Sequence, residues 1–165
     1  MNVKGVVVTL VALGLMAAAG GQSAGPASGR LTWPLDAWVE TQPFGCTSFS
    51  LEPAASWCPD GHFHSGIDMA APAGTPVHAA GGGSVTVSWN PGGYGLYVVV
   101  EHGGGVATLY GHLESVSVVG GAAASAGAEI GRVGSTGLST GPHLHFEVRR
   151  DGRPVDPLSL LPAHS

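Results

Sequence analysis

Two short clusters carry residue types that hold metal ions. His64-Ser65-Gly66-Ile67-Asp68 sets an imidazole and a carboxylate four positions apart, and His143-Leu144-His145 sets two imidazoles on either side of a leucine. Two imidazoles and one carboxylate are the usual protein share of a catalytic zinc site, which keeps a fourth position for water. An ion so held lowers the pKa of water and polarises a carbonyl, so the chemistry to expect is metal-assisted hydrolysis. Either cluster alone is a weak signal, because short histidine pairs also occur on ordinary surfaces. Both together, in one chain with eight histidines, favour a metal.

The elements that must position these clusters read as short strands. Residues 84–89 (SVTVSW) alternate valine with small polar residues, the period of a half-buried strand. Residues 94–101 (YGLYVVVE) are aromatic and β-branched and follow a Pro-Gly-Gly turn. Residues 106–110, 115–119 and 129–133 are further candidates, and residues 144–150 (LHFEVRR) follow the sharp Gly141-Pro142 turn. Alternation in that last strand puts His143, His145 and Glu147 on one face and Leu144, Phe146 and Val148 on the other. Gly66, with Pro59, Gly61, Pro72 and Gly74 nearby, places the first cluster on a loop running into a strand. The expected fold class is all-β: an antiparallel β-sandwich or open, barrel-like sheet with glycine-rich loops. Residues 154–162 hold at most one helical turn, around 158–161.

Composition agrees and excludes other classes. The 165 residues include 28 Gly and 12 Pro, too many for long helices, while 44% hydrophobic residues in recurring valine runs argue against disorder. The length suits one domain. A formal charge of -5 leaves no basic face for nucleic acid. Residues 73–87 and 125–136 echo one another in a pattern similar to the hairpin of biotinyl and lipoyl carrier domains. Such a carrier needs a lysine at its turn, and the sole lysine is Lys4.

Residues 1–24 read as a signal peptide: Lys4 gives a weakly positive start, residues 5–19 are apolar, and small residues follow. An uncleaved anchor is the competing reading, but the run is short for a span and lacks basic residues on its far side. The remainder, residues 25–165, is expected to be exported, to the periplasm, cell envelope or exterior, with no membrane association after cleavage. In an oxidising compartment Cys46 and Cys58 form a disulfide, the alternative being Cys58 as a metal ligand beside His62 or His64.

The chain resembles the LytM- and lysostaphin-like zinc endopeptidases of bacterial cell walls. The likeness spans residues 62–157 and rests on HSGIDMAAPAGTPVHAAGGGSV (64–85), GGYGLYVVVEHGGGVATLYGHL (92–113), GAEIGRVGSTGLSTGPHLHFEV (127–148) and VDP (155–157). It implies a sheet of the duplicated hybrid motif type, a Zn²⁺ cofactor and peptidoglycan peptides as the partner. By this resemblance His64, Asp68 and His145 match the zinc ligands. His143 matches the residue that binds or orients the water, and His112 a second catalytic histidine that polarises water or stabilises the oxyanion. The alternative is a non-catalytic cell-wall-binding or hydrolase-activator domain on the same fold, which retention of all five positions disfavours.

The other histidines get plainer readings: His78 packed or on the surface, His102 at a turn, His164 near a frayed end, and His62 outside the site. Glu147 is either an orienting partner of a ligand or a surface carboxylate. The segment 44–60, with its cysteine pair, matches no shared motif and is expected to form one wall of a substrate groove. A monomer is expected.

Overall fold

A computed structural model describes residues 30–163. The expected signal peptide and its following leader, and His164, lie outside those residues. The strands are β1 (Val39–Gln42), β2 (Gly45–Thr47), β3 (His62–His64), β4 (Ile67–Ala70), β5 (Pro76–His78), β6 (Gly83–Asn90), β7 (Gly95–Gly103), β8 (Val106–Val116), β9 (Ala123–Ala124), β10 (Glu129–Val133), β11 (His143–Arg150) and β12 (Arg153–Val155). One antiparallel sheet runs β1-β4-β11-β8-β7-β6-β9, with β12 on β11 and β10 joining β8 to β5; β2 and β3 form a separate ribbon. The described chain is thus nearly all β, in keeping with a composition too rich in Gly and Pro for long helices. One 3₁₀ turn, Pro157–Ser159, starts where the Asp156 carboxylate accepts from Leu158 N–H at 2.9 Å.

The longest pairing is the β6–β7 hairpin, in register from Ser84↔Glu101 to Asn90↔Gly95 around the Pro-Gly-Gly turn. The two echoing segments meet each other: β5 pairs β10 through Val77↔Gly131. Strand β8 organises the rest. Its first half lies between β7 and β11, with Gly111 opposite His145, and its second half pairs β10, with Ser115 opposite Arg132. The change of partner occurs at His112, whose φ of 60° is left-handed, a conformation that costs a side-chain-bearing residue about 1 kcal/mol. It is held by His112 N–H to Tyr94 O at 2.7 Å and by the ring, which donates to Thr136 O at 2.8 Å.

Ile67, Met69, Val98, Tyr110, Leu113, Ile130, Leu144, Phe146 and Val148 are completely buried in one core. Two expectations need correcting. Residues 115–119 are not a strand of their own: 115 and 116 finish β8, after which the chain bends away towards Gly120-Gly121 and β9, leaving Val119 75% exposed. His102 is not at a turn but inside β7 and only 4% exposed. Its ring meets Gly82 O at 3.0 Å and the Thr108 hydroxyl at 2.8 Å, closing a buried network through Tyr110. His78 is half-buried against Gly127 O.

The Cys46–Cys58 disulfide is present, with Cα atoms 5.3 Å apart. It ties the β2 strand to the segment entering β3, and a T-shaped Phe44–Phe63 contact packs alongside.

Candidate metal centre

The first cluster straddles two strands. His64 ends β3, Asp68 lies in β4, and Ser65-Gly66 turns the chain between them. That turn presses against β11: a Cβ on Gly66 would lie 2.4 Å from Phe146 O. Asp68 and His145 are then direct cross-strand neighbours in the β4–β11 ladder. Side chains at such paired positions on one face lie close together. On the far side of His145 the partner is Gly111, with the Tyr94 ring packed beside it.

The result is a tight triangle. His64 Nε2 lies 3.2 Å from Asp68 Oδ1 and 3.0 Å from His145 Nδ1, and His145 Nδ1 lies 3.0 Å from Asp68 Oδ1. Both rings have their other nitrogen committed as a donor. His64 Nδ1–H donates to Pro43 O at 2.8 Å, and His145 Nε2–H donates to Glu147 Oε1 at 3.1 Å. Two imidazole lone pairs and one carboxylate oxygen therefore aim at one buried point, an arrangement that only a cation makes favourable. Separations of 3.0–3.2 Å are close to the ~3.3 Å edge of a tetrahedron with bonds of about 2.05 Å to zinc. The donor set fits a zinc ion with one position left open towards solvent.

Charge shifts follow from the packing. Burial raises Asp68, but hydrogen bonds and charge from His145 and His64 outweigh it and hold the carboxyl far below the usual range. Burial lowers His145, yet hydrogen bonds to Asp68 and Glu147 prevail and raise it to about 9. A proton thus competes for the point a metal would fill.

His143 and His112 stand beside this triangle. His143 Nδ1–H donates to Gly141 O at 2.8 Å, and its Nε2 lies 3.6 Å from Asp68 Oδ2. His112 Nδ1–H donates to Thr136 O, and the two rings are 4.7 Å apart between centroids. Each leaves Nε2 available. Burial is the main reason His112 falls to about 4, so its ring is neutral at neutral pH.

Beneath His145 lies Glu147, in its orienting rather than its surface reading, with two partners, Tyr94 and Arg149, that the sequence reading left out. Glu147 is fully buried, because Tyr94 and Arg149 cover the polar face of β11. Its Oε1 accepts from Ser65 Oγ at 2.6 Å, Tyr94 OH at 2.6 Å and His145 Nε2, while Oε2 accepts from Arg149 Nε at 2.6 Å. Burial raises Glu147, but His145, Arg149 and Ser65 bring it down to about 2. Glu147 was visible through strand alternation; Tyr94 and Arg149 carried no comparable signal.

The triangle opens onto a groove of about 740 Å³ lined by Asp68, His112, His143 and His145. Thr47, Phe49, Leu51 and Glu52, from the segment tied by the disulfide, line one side, and Tyr94 and Leu138 the other. His62 does not line it.

The profile of peptidase family M23 matches residues 62–157. Over 97 residues, 59% of this chain and 22% of the relative, the sequence is 53% identical to the DD-carboxypeptidase/endopeptidase Mpg of Neisseria meningitidis serogroup B. It is 36% identical over 140 residues to the lipoprotein NlpD/LppB homolog of Pseudomonas aeruginosa, covering 84% of this chain and 42% of that protein. Among solved structures, a zinc-containing peptidase from Vibrio cholerae aligns with a TM-score of 0.66 and 35% identity, over 78% of this chain and 39% of that one. The chain spans about a fifth of the length of Mpg.

Proposed function

The chain belongs to peptidase family M23, and from that premise we propose that it is an exported zinc endopeptidase that hydrolyses peptide cross-links or stems of bacterial peptidoglycan. The observation that carries this reading is the convergence of three lone pairs, from His64, Asp68 and His145, beside two imidazoles with free Nε2 atoms on an open groove. Export agrees with the apolar start of the sequence and with the disulfide, which needs an oxidising compartment. The wall as substrate is favoured by the likeness to the peptidoglycan DD-endopeptidase ShyA of Vibrio cholerae.

His64 Nε2, His145 Nδ1 and Asp68 Oδ1 would hold the zinc ion. When bound, zinc supplies positive charge that acidifies water and polarises the scissile carbonyl. The chain's own residues handle the proton. His112 and His143 each donate Nδ1–H to a backbone carbonyl, so in the neutral ring the lone pair of each is on Nε2, an acceptor for a water proton. As water adds to the carbonyl carbon, that proton passes to an imidazole. The imidazolium so formed stabilises the oxyanion, and the proton is then released to the departing amine as the C–N bond breaks. Glu147 keeps His145 in the tautomer that leaves Nδ1 free.

The test follows amine release from sacculi of several cross-link types, with zinc and with chelator. Release by the zinc form, lost with chelator and restored by zinc, is expected; mass spectrometry of the muropeptides identifies the bond cut. A zinc-loaded chain that releases nothing from any sacculus overturns the enzyme reading in favour of a wall-binding or activator domain. His112→Ala should keep stoichiometric zinc and lose about 10²-fold or more in rate, whereas His145→Ala should lose both.

A further inference from the structure

Glu52 is the one ionisable side chain on the groove that the metal centre does not use. Among the described residues the groove lining contains no Lys or Arg, and its only carboxylates are Asp68 and Glu52. Glu52 comes from the segment that precedes residue 62, where the match to the family profile begins.

Its position is well fixed. The Glu52 carbonyl accepts from the His62 ring at 2.7 Å, and its N–H donates to Phe49 O at 3.1 Å. The next residue is tied too, Pro53 O accepting from Phe63 N–H at 3.0 Å. The carboxylate is steered by Gln42, whose Nε2 donates to Oε1 at 3.3 Å. Gln42 is itself the cross-strand neighbour of Asp68, so the Glu52 side chain is anchored one residue's reach from the metal triangle. The disulfide closes the loop behind it. Among the described residues no ion pair includes Glu52. Burial raises its pKa, more than the nearby imidazoles lower it. A half-buried carboxylate with a neutral partner on one oxygen and no cation has unspent capacity for a positive ligand group. Phe49 and Leu51 beside it line the same wall with apolar surface, suited to the methylenes of a long amine side chain.

We propose that Glu52 is a specificity residue that receives the free ammonium group of a diamino acid placed next to the bond being cut. The groove then prefers peptides with an uncapped amine over neutral ones such as a glycine bridge. This deepens the peptidase reading and rests on it for the position of the scissile bond.

The probes are two soluble peptides in which a diamino acid is followed by a D-alanine whose carbonyl is the one attacked, identical except that the diamino acid's side-chain amine is free in one and N-acetylated in the other. The zinc-loaded chain should cleave the free-amine peptide with a kcat/KM about tenfold higher, mostly through KM. Glu52→Gln, nearly isosteric and still able to meet Gln42, should bring the free-amine peptide down to the level of the acetylated one and leave the latter unchanged. Glu52→Lys should reverse the preference. Equal kcat/KM values in the wild type, or a preference that survives Glu52→Gln, overturn the proposal. Calorimetric binding of the same peptides to the wild type and Glu52→Gln asks the question without turnover. If nothing is cleaved but the affinity difference is present and depends on Glu52, the peptidase reading fails and this site stands. If the affinities are equal, the site fails whatever the hydrolysis shows.

Discussion

At the scale of single residues, a side chain's hydrogen-bond partner decides its chemistry here more than its type does. Four imidazoles at the site do different work according to which ring nitrogen each commits and to what. His64 gives Nδ1–H to Pro43 and keeps Nε2 as a lone pair, while His145 gives Nε2–H to Glu147 and keeps Nδ1. Replacing Glu147 by Gln keeps the shape but removes the charge and offers the ring no fixed acceptor. Zinc affinity should fall by about 10–100-fold, read by competition with a chromophoric chelator. Unchanged affinity would reduce Glu147 to a packing residue. His112 makes a second prediction. Its folded pKa, about 4, lies below the unfolded value of ~6.5, so the unfolded chain binds more protons between those limits. Its contribution to stability is whole above pH 6.5 and is lost as pH falls towards 4, by up to ~1.4 kcal/mol per pH unit. Buried His102, also lowered by desolvation, acts in the same direction. The urea midpoint should therefore drop between pH 6.5 and 5, and His112→Gln should make the drop shallower.

At the scale of elements, what could be read from the sequence was whatever its local pattern encodes. The alternation of β6, the valine run of β7 and the two-faced pattern of β11 are local, and each strand lies where it was expected. The long β8 was legible only to Tyr110, because its continuation depends on a left-handed His112 that nothing nearby announces; its bend is fixed by Tyr94 and Thr136 from remote segments. For the same reason Tyr94 and Arg149 escaped notice, since their role is to cover Glu147. The His-Asp and His-His clusters were legible because their spacing matches how loop and strand present them, but only strand pairing shows that Asp68 faces His145. Gly66 is the element-level test. Alanine there forces its Cβ into the Phe146 carbonyl, so Gly66→Ala should cost about 1–3 kcal/mol and weaken zinc binding by spreading β3 and β4. A thermal melt and a zinc titration check both. An undisturbed variant would mean that the turn gives way without moving the ligands.

At the scale of the whole molecule, the described chain divides into a family-matched sheet that carries the triangle and a preceding segment that supplies β1, β2 and a groove wall. Leu31 and Leu35 of that segment enter the core, but its groove-wall stretch exposes large apolar side chains: Trp57 is 73% exposed, and Phe49 and Leu51 are also open to solvent. Its order therefore leans on the disulfide, whose loss should cost ~3 kcal/mol through the unfolded chain. Cys46→Ser with Cys58→Ser should lower the urea midpoint and raise KM for peptides, while zinc stays stoichiometric because Asp68 and His145 sit on strands the bridge does not touch. Loss of zinc in that variant would show that the wall also holds His64 in place.

Three of the imidazoles, His64, His112 and His143, are tethered by main-chain carbonyls of Pro43, Thr136 and Gly141. A point mutation replaces a side chain and leaves the carbonyl where the strand put it. The reactive geometry is thus insulated from much of the drift that neighbouring positions undergo, while the surfaces that choose a substrate stay free to vary. A scaffold built this way can acquire new diets without relearning its chemistry.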